Sequence, residues 1–391
     1  MGRTGGNDAK RNRRILTEMA RGFGMMSCNS TMGRLAAVTT TMLLLCTGLA
    51  AQAPEGPQGA SPPQTNPAAP APKPAAPQQK PQEGGVTISL EVPVVTLDVV
   101  ATTSNGGLIT GLKKENFRIL EDGVPQTITN FGAGDAPITM VVLLEWSNVA
   151  NGWFGYQARY WADALFPNLK PQDWVALVTF DMNHRLEVDF TQNKDEVRAA
   201  IYHLIFPGFS ESNLFDALLD TVDRLKDVKG KKSVLVLASG RDTFSKHTLD
   251  QTLKQLRQTD VTIFAVGVAK PLENLLELHQ RLGGSRELTF LQAENQLKTV
   301  AQMTGGMAWF PQFDGEIPSD MRTVAEFLRH QYSITYSPTN HAADGKYRKV
   351  KVELVAPDGS PFTVTDQKGK KQKIVIYARE GYQAPKGGVG D

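Results

Sequence analysis

The first feature of the sequence that could do chemistry is an apolar run that ends in polar side chains. Residues 141–148 read VVLLEWSN, so Glu145 and Ser147 follow a stretch typical of a buried strand. A carboxylate and a hydroxyl at alternate positions offer oxygen atoms, which hard cations such as Mg²⁺ and Ca²⁺ prefer. The next alternate position is Val149, which offers no donor atom. The segment therefore indicates a cation site or an altered version of one.

Two further polar segments follow predicted strands or enter predicted helices. They read FSESNLFDAL over 209–218 and LASGRDT over 237–243. In open α/β sheets, ligands gather beyond the carboxyl ends of the strands, where the strand order reverses. We therefore expect these two segments to meet the end of the 141–148 run.

The elements that must position these loops alternate between strand and helix patterns. Predicted strands are 138–146, 174–180, 185–190, 233–239, 261–268 and 307–310, and predicted helices are 155–166, 194–205, 212–228, 247–258, 293–304 and 319–331. Apolar strands with helices between them indicate a mostly parallel sheet that is covered on both faces. Only the 174–190 pair has a link short enough to require an antiparallel hairpin. The fold class of residues 137–330 is therefore predicted as α/β, doubly wound, with a mostly parallel six-stranded sheet.

Strand patterns flank this unit on both sides. Residues 86–136 and 331–383 carry alternating, β-branched stretches separated by turn sequences such as EDGVPQ. Because the two ends of a domain usually lie close together, we expect the α/β unit to be flanked by, or inserted into, an antiparallel β-sandwich. Two independent β segments are the alternative, and residues 384–391 form a tail.

The beginning of the chain resembles an export signal. A basic stretch precedes the apolar residues 35–53, which end in small residues, and this predicts a signal peptide over 1–51. The basic part is unusually long, so a later methionine is an alternative start. An uncleaved membrane anchor or a lipid anchor at Cys46 is the alternative to cleavage after Ala51. We therefore expect an exported protein, periplasmic or extracellular, that meets a membrane only through its signal or a lipid.

A proline-rich linker is predicted over residues 52–85. Ten prolines lie between residues 54 and 83, together with alanine, glutamine and glycine. Such a composition has too little apolar area to form a core and favours an extended spacer.

The overall composition excludes several functional classes. The 42 basic and 40 acidic residues give a formal charge of +2, which provides no reason to expect a nucleic-acid partner. Both cysteines, Cys28 and Cys46, precede the foldable part, so that part has neither a disulfide framework nor a cysteine metal site. The six histidines lack the spacing of a zinc hydrolase, and no glycine-rich phosphate loop opens a helix. No small-molecule substrate is implied.

Taken together, these motifs resemble a known family. Residues 137–330 look like a von Willebrand factor type A domain, and the flanking TGLKKENFRILEDGVPQTITNF and YSITYSPTNHAADGKYRKVKVEL resemble secreted acidobacterial proteins of that type. The resemblance implies a strand-end motif D-x-S-x-S, joined by a threonine from a second loop and an aspartate from a third. In the family these residues bind Mg²⁺ and leave one position for a partner's carboxylate.

Carried over position by position, the implied metal site is degenerate. Glu145 stands for the first aspartate, Val149 for the second serine and Ser239 for the third-loop aspartate, whereas Ser147 and Ser212 keep hydroxyls. One carboxylate and two hydroxyls compensate poorly for the dehydration of a divalent cation.

Other acids near these loops would restore charge if they converged on the site. They are Asp181, Glu211 and Asp242, and solvated loop residues are the favoured interpretation. We therefore expect no certain cofactor, with Mg²⁺ or Ca²⁺ as the alternative.

The functional hypothesis is an exported, non-enzymatic protein-binding module that uses the loops at the carboxyl edge of the sheet. Its predicted contacts with an unidentified protein partner are Trp146, Ser147, Asn148, Ser210 and Ser212. Trp146 in particular is expected to face the open edge, because aromatic side chains often anchor interfaces. A structural scaffold of the cell envelope with a vestigial type A domain is the alternative, and a hydrolase is a remote one.

Overall fold

The computed structural model describes residues 94–134, 136–148, 153–205, 207–278 and 286–386. The predicted signal peptide (1–51), the predicted linker (52–85) and Val149 lie outside these residues. Residues 85–391 form one compact unit.

Strands and helices occupy most of the described chain. The strands are β1 (Val95–Thr103), β2 (Phe117–Glu121), β3 (Val124–Gln126), β4 (Ile128–Ala133), β5 (Ile138–Glu145), β6 (Trp174–Phe180), β7 (His184–Thr191), β8 (Lys231–Ala238), β9 (Thr262–Gly267), β10 (Ala308–Trp309), β11 (Tyr332–Tyr336), β12 (Tyr347–Leu354), β13 (Val364–Thr365), β14 (Lys371–Gln372), β15 (Ile374–Tyr377) and β16 (Gly381–Gln383). The α-helices are α1 (Trp153–Leu165), α2 (Lys194–His203), α3 (Leu214–Arg224), α4 (Leu249–Leu256), α5 (Ala269–Leu278), α6 (Arg286–Met303) and α7 (Ile317–Arg329).

The central feature is a six-stranded sheet with the order β10-β9-β8-β5-β6-β7. All neighbouring pairs are parallel except β6 and β7, which form the antiparallel hairpin. Every residue of β8 and all but one residue of β5 are buried, as expected for strands covered on both faces. The predicted fold class is confirmed, including the six strands and the mostly parallel pairing.

Helices cover both faces of this sheet and create two apolar cores. One core contains side chains of α1, α2 and α7, and the other contains side chains of α3, α4 and α6. Helix α5 is absent from the sequence-based prediction. Its Pro271 lies in the first turn, where the missing N–H costs no helical hydrogen bond.

Two four-stranded antiparallel sheets lie beside the α/β unit in the chain order expected of an insertion. Their strand orders are β15-β1-β11-β4 and β16-β12-β2-β3, so each sheet combines strands from before and after residues 137–330. The two sheets share a core that includes Leu97, Ile119 and Ile334. Between β2 and β3, Asp122 and Gly123 have positive φ angles of 49° and 86°, which suits a two-residue hairpin turn.

The sandwich and the α/β unit are joined by side chains as well as by the chain. Val100 of β1 packs in the core beneath α1 and α7, whereas its neighbours Leu97 and Val99 pack in the sandwich. The Lys231 ammonium donates a buried hydrogen bond of 2.7 Å to the Gln331 carbonyl oxygen. These contacts couple the two parts mechanically.

Within the described part of the chain, none of the helices has the length and apolar character needed to cross a bilayer.

Candidate functional site

The three polar loops expected to meet do meet at the carboxyl edge of the sheet. The Asn148 amide donates to the Phe209 carbonyl oxygen at 2.7 Å, which ties the loop after β5 to the loop before α3. The Thr243 amide donates to the Ser212 carbonyl oxygen at 2.8 Å, which adds the loop after β8. Backbone hydrogen bonds therefore fix all three loops against one another.

Glu145 lies at the centre of this edge and is fully buried. Its Oε1 accepts a hydrogen bond from the Ser147 hydroxyl at 2.7 Å. Its Oε2 accepts two more from Ser239, one from the amide at 2.7 Å and one from the hydroxyl at 2.8 Å. The carboxylate thus links the loop after β5 to the loop after β8 through three short, charge-assisted hydrogen bonds.

The electrostatics of Glu145 are set by two opposing effects. Burial raises the pKa of its carboxyl group, because a charge is costly in a low-dielectric interior. The hydrogen bonds from Ser147 and Ser239 lower that pKa and offset part of the burial effect.

Glycine is required directly after Ser239. Gly240 has a φ of +80°, and a Cβ atom at this position would lie 2.6 Å from the Ala293 carbonyl oxygen of α6. The backbone can therefore make the turn that places Ser239 only with a residue that lacks a side chain.

Ser212 and Asp242 are near this network but are not part of it. Ser212 is buried, and its hydroxyl oxygen has no hydrogen-bond partner among the described residues. Asp242 instead accepts from the Ser245 hydroxyl at 2.5 Å and from the Phe215 amide at 3.2 Å. It thereby caps the first turn of α3 from another loop, where a negative charge is favourable. Burial raises its pKa, and these hydrogen bonds oppose the rise.

The other two acids considered from sequence have separate partners. Asp181 is buried and binds the Arg185 guanidinium through both carboxylate oxygens at 3.3 Å. The Glu211 carboxylate accepts from the Ser210 amide at 3.1 Å on the exposed loop. No three His, Cys, Asp or Glu side chains in the described ranges come together as a metal cluster.

The expected orientation of Trp146 is wrong. Only 4% of this residue is exposed, and its indole N–H donates to the Ile205 carbonyl oxygen at 2.6 Å. The physical reason is that the indole packs in the core with α1 and α2, where its large apolar area leaves water. Ser147 and Ser212 are buried as well, so of the five predicted contacts only Asn148 and Ser210 reach the surface.

Two exposed aromatic side chains at this edge were missed from sequence. Phe209 is 43% exposed and Phe244 is 53% exposed, and both lie on the loops described above. The available signal was a phenylalanine within an otherwise polar loop, in FSES and in RDTF. Tertiary packing determines whether an apolar residue in such a loop is buried or exposed. The sequence pattern alone therefore could not predict that these two side chains are exposed.

The sequence of this unit matches a described family. Residues 141–302 match the family model of the von Willebrand factor type A domain. The α/β unit contains a type A domain over residues 141–302. A search of the curated proteins finds no match to this chain.

Solved structures that are similar to parts of this chain have low sequence identity to it. The conserved hypothetical protein BatB from Bacteroides thetaiotaomicron is 11% identical over 49% of this chain and 98% of its own, with a TM-score of 0.35. A von Willebrand factor type A protein from Catenulispora acidiphila is 11% identical over 76% of each chain, with a TM-score of 0.38. Proximal thread matrix protein 1 from the mussel byssus, in a structure with a zinc-occupied MIDAS motif, is 12% identical over 50% of this chain and 49% of its own, with a TM-score of 0.37.

The residues of this type A domain do not fit a bound Mg²⁺ ion. Both oxygens of the single carboxylate, Glu145, already accept hydrogen bonds from this chain's own serines. Asp242, the nearest additional acid along the loop, is engaged at the start of α3. A divalent cation needs several free oxygen ligands, whereas among the described positions of the implied site the Glu145 and Asp242 carboxylates are engaged by hydrogen bonds and the Ser212 hydroxyl alone lacks a partner.

Proposed function

We propose that this protein is a non-enzymatic protein-binding module that contacts its partner through the carboxyl edge of the type A domain. Type A domains are in general interaction modules. The observation that carries the proposal is the exposure of Phe209 and Phe244 on loops that backbone hydrogen bonds hold together. Aromatic side chains on a rigid support bury a large area on binding at a small entropic cost.

The proposed contact area, here called the loop surface, consists of five residues on the three tied loops. Four of them are exposed and Asn148 is half-buried; the exposed members are Phe209, Ser210, Glu211 and Phe244. The Ser210 hydroxyl donates to the Asn148 carbonyl oxygen at 3.4 Å, so polar and aromatic groups alternate across adjacent loops. This combination of apolar anchors and polar neighbours is typical of protein interfaces.

Binding by the loop surface is proposed to need no divalent cation. The hydrogen bonds of Glu145 with Ser147 and Ser239 join two loops within the protein. A bound cation would otherwise join them. Calorimetric titration of the protein with Mg²⁺ and Mn²⁺ should therefore give no saturable heat. A micromolar binding isotherm would contradict this part of the proposal.

Site-specific photo-crosslinking tests the loop surface directly. A benzophenone amino acid is placed at Phe209 or Phe244, and the protein is irradiated in cells of the organism that produces it. The control position is Trp174, an exposed aromatic residue at the start of β6 and hence at the opposite edge of the sheet. The same partner should crosslink from 209 and 244 and not from 174.

The purified partner then gives the quantitative test. The double variant Phe209→Ser, Phe244→Ser should weaken binding at least about tenfold, because central aromatic residues dominate interface energies. Trp174→Ser should leave the affinity unchanged. Equal affinity of wild type and double variant would move the interface elsewhere and favour the scaffold function, in which the sandwich makes the contacts.

We also propose that the protein is exported to the periplasm or the cell exterior and that residues 52–85 act as a spacer. The proposal rests on the basic and apolar order of residues 1–51 and on the resemblance to secreted acidobacterial proteins. Amino-terminal sequencing of the mature protein should give Gln52 as the first residue. An intact amino terminus, or a lipid on Cys46, would contradict cleavage after Ala51 and would show that the protein keeps a membrane anchor.

A further inference from the structure

A cleft of about 540 Å³ opens beside the loop surface. One wall comes from α2 and the chain that follows it, and includes Leu204, Ile205 and Phe209. A second part of the lining comes from the β6–β7 hairpin and includes Asp181 and Arg185. This volume lies in the range of small-ligand sites in proteins.

The base of the cleft is fixed. Trp146 lines it, and the hydrogen bond from the Trp146 indole to Ile205 ties the apolar wall to the sheet. The Phe209 carbonyl oxygen is held by the Asn148 amide. Both ends of this wall are therefore attached to the strand that carries Glu145.

The charged wall presents a guanidinium group that already forms ion pairs with two carboxylates of this chain. Both terminal nitrogens of Arg185 donate to Asp181 at 3.3 Å, and Nε lies 3.6 Å from the Glu187 carboxylate. The two acids are themselves held, Asp181 by the Asn183 amide at 2.8 Å and Glu187 by the Thr179 hydroxyl at 2.6 Å. The Arg185 side chain is nevertheless 43% exposed.

This arrangement selects among ligand chemistries. A carboxylate ligand would meet the negative charges of the two resident carboxylates, Asp181 and Glu187, which oppose its binding. The Arg185 side chain is partly exposed, and the flat face of a guanidinium stacks favourably on aromatic rings. Apolar side chains that line the same cleft suit the other side of such a ring.

We propose that the cleft binds an aromatic side chain that a protein partner inserts beside the loop surface. The identity of the donor as a protein partner rests on the proposed function, whereas recognition of the aromatic ring rests on the cleft alone. The ring lies between the Arg185 guanidinium and the wall that contains Ile205 and Phe209.

The test uses N-acetyl-tryptophan amide as the probe and the full chain labelled with ¹⁵N. The indole N–H signal of Trp146, assigned with the Trp146→Phe variant, reports occupancy of the cleft. The probe should shift this signal in a saturable manner. N-acetyl-cyclohexylalanine amide, which is apolar but lacks a π system, should bind at least about fivefold more weakly.

Arg185→Lys keeps the positive charge and removes the planar face. The affinity for N-acetyl-tryptophan amide should fall about fivefold, and the weak affinity for the cyclohexyl probe should not change. Arg224→Lys is the matched control, since Arg224 is 40% exposed and pairs with Asp220 at 2.8 Å on α3. It should change neither affinity.

Two results would overturn the proposal. One is equal affinity for the aromatic and cyclohexyl probes. The other is an unchanged Trp146 signal at the highest probe concentration that stays in solution. Failure here is distinguishable from failure of the proposed function. A partner that crosslinks at positions 209 and 244 without probe binding would refute the cleft only. Probe binding without such a crosslink would refute the loop surface only.

Discussion

Glu145 carries one methylene more than the aspartate that the family resemblance implies at its position. The structure places its two oxygens between Ser147 and Ser239, and each oxygen receives a hydrogen bond from a serine hydroxyl. The Ser147 hydroxyl, which the family resemblance implies as a metal ligand, is thereby engaged as a donor to a carboxylate. Glu145, Ser147 and Ser239 together form an internal network at the position where the family resemblance implies a cation site.

Removal of the Glu145 carboxylate should destabilise the protein. Glu145→Ala leaves the Ser239 amide and two hydroxyls without their acceptor in a buried position, so the free energy of unfolding should fall by about 2–4 kcal/mol. Urea denaturation measures this change. Glu211→Ala removes an exposed carboxylate from the same edge and should cost less than about 0.5 kcal/mol. Equal effects of the two substitutions would show that the network contributes nothing.

The raised pKa of Glu145 also predicts a pH dependence. Between the ordinary value of 4.5 and the raised value, the folded protein binds more protons at this site than the unfolded chain. Stability should therefore decrease as pH rises through that window. Glu145→Gln cannot titrate, so the difference in unfolding free energy between wild type and variant should change across the window and be constant below pH 4. A constant difference at all pH values would refute the shift.

At the scale of elements, the carboxyl edge depends on how closely α6 approaches the turn after β8. Gly240 and Gly369 have similar φ angles of +80° and +75°, but only Gly240 faces a backbone atom, at 2.6 Å from its would-be Cβ. A comparison of substitutions at the two positions therefore distinguishes the effect of backbone strain from the effect of a steric clash.

Gly240→Ala should destabilise the protein by at least about 2 kcal/mol more than Gly369→Ala. Both substitutions strain a left-handed backbone by about 1 kcal/mol, and only the first also displaces α6. Thermal unfolding of the two variants under the same conditions provides the comparison. If Gly240→Ala were no worse than Gly369→Ala, the packing of α6 against the turn would be loose.

Elements with a strong hydrophobic period were predictable. Strands β5, β6, β8 and β9 are continuous apolar runs, and their predicted limits differ from the observed ones by at most two residues. Helix α5 was not predicted, because a proline stands within its first turn. The short strands β13, β14 and β16 were also missed, since two or three residues carry no readable alternation.

At the scale of the whole molecule, the type A domain is inserted between β4 and β11 of the sandwich. Strand β1 serves both parts, since Val100 belongs to the α/β core and Leu97 to the sandwich core. A substitution that destabilises the sandwich should therefore also destabilise the type A domain.

The distribution of tryptophan makes this coupling measurable. All five tryptophans lie within residues 137–330, so selectively excited tryptophan fluorescence reports on the α/β unit alone. Leu97→Ala, a substitution in the sandwich core, should lower the fluorescence-detected urea midpoint by the equivalent of about 2–4 kcal/mol. Val124→Ala, at an exposed sandwich position, should leave it in place. An unchanged midpoint for Leu97→Ala would mean that the two parts unfold independently.

The sequence by itself determined the order of the longer strands of the central sheet and of most helices, because hydrophobic period and turn residues act locally along the chain. It also predicted that the cation positions implied by the family resemblance are altered, since that prediction follows from residue identity at each position. Only the tertiary structure decided that Glu145 is satisfied by Ser239, a residue 94 positions away. The same holds for the burial of Trp146 and the exposure of Phe209, because burial depends on which elements pack above a side chain. The binding edge could thus be located from sequence, but its contact residues could be identified only from the packed loops.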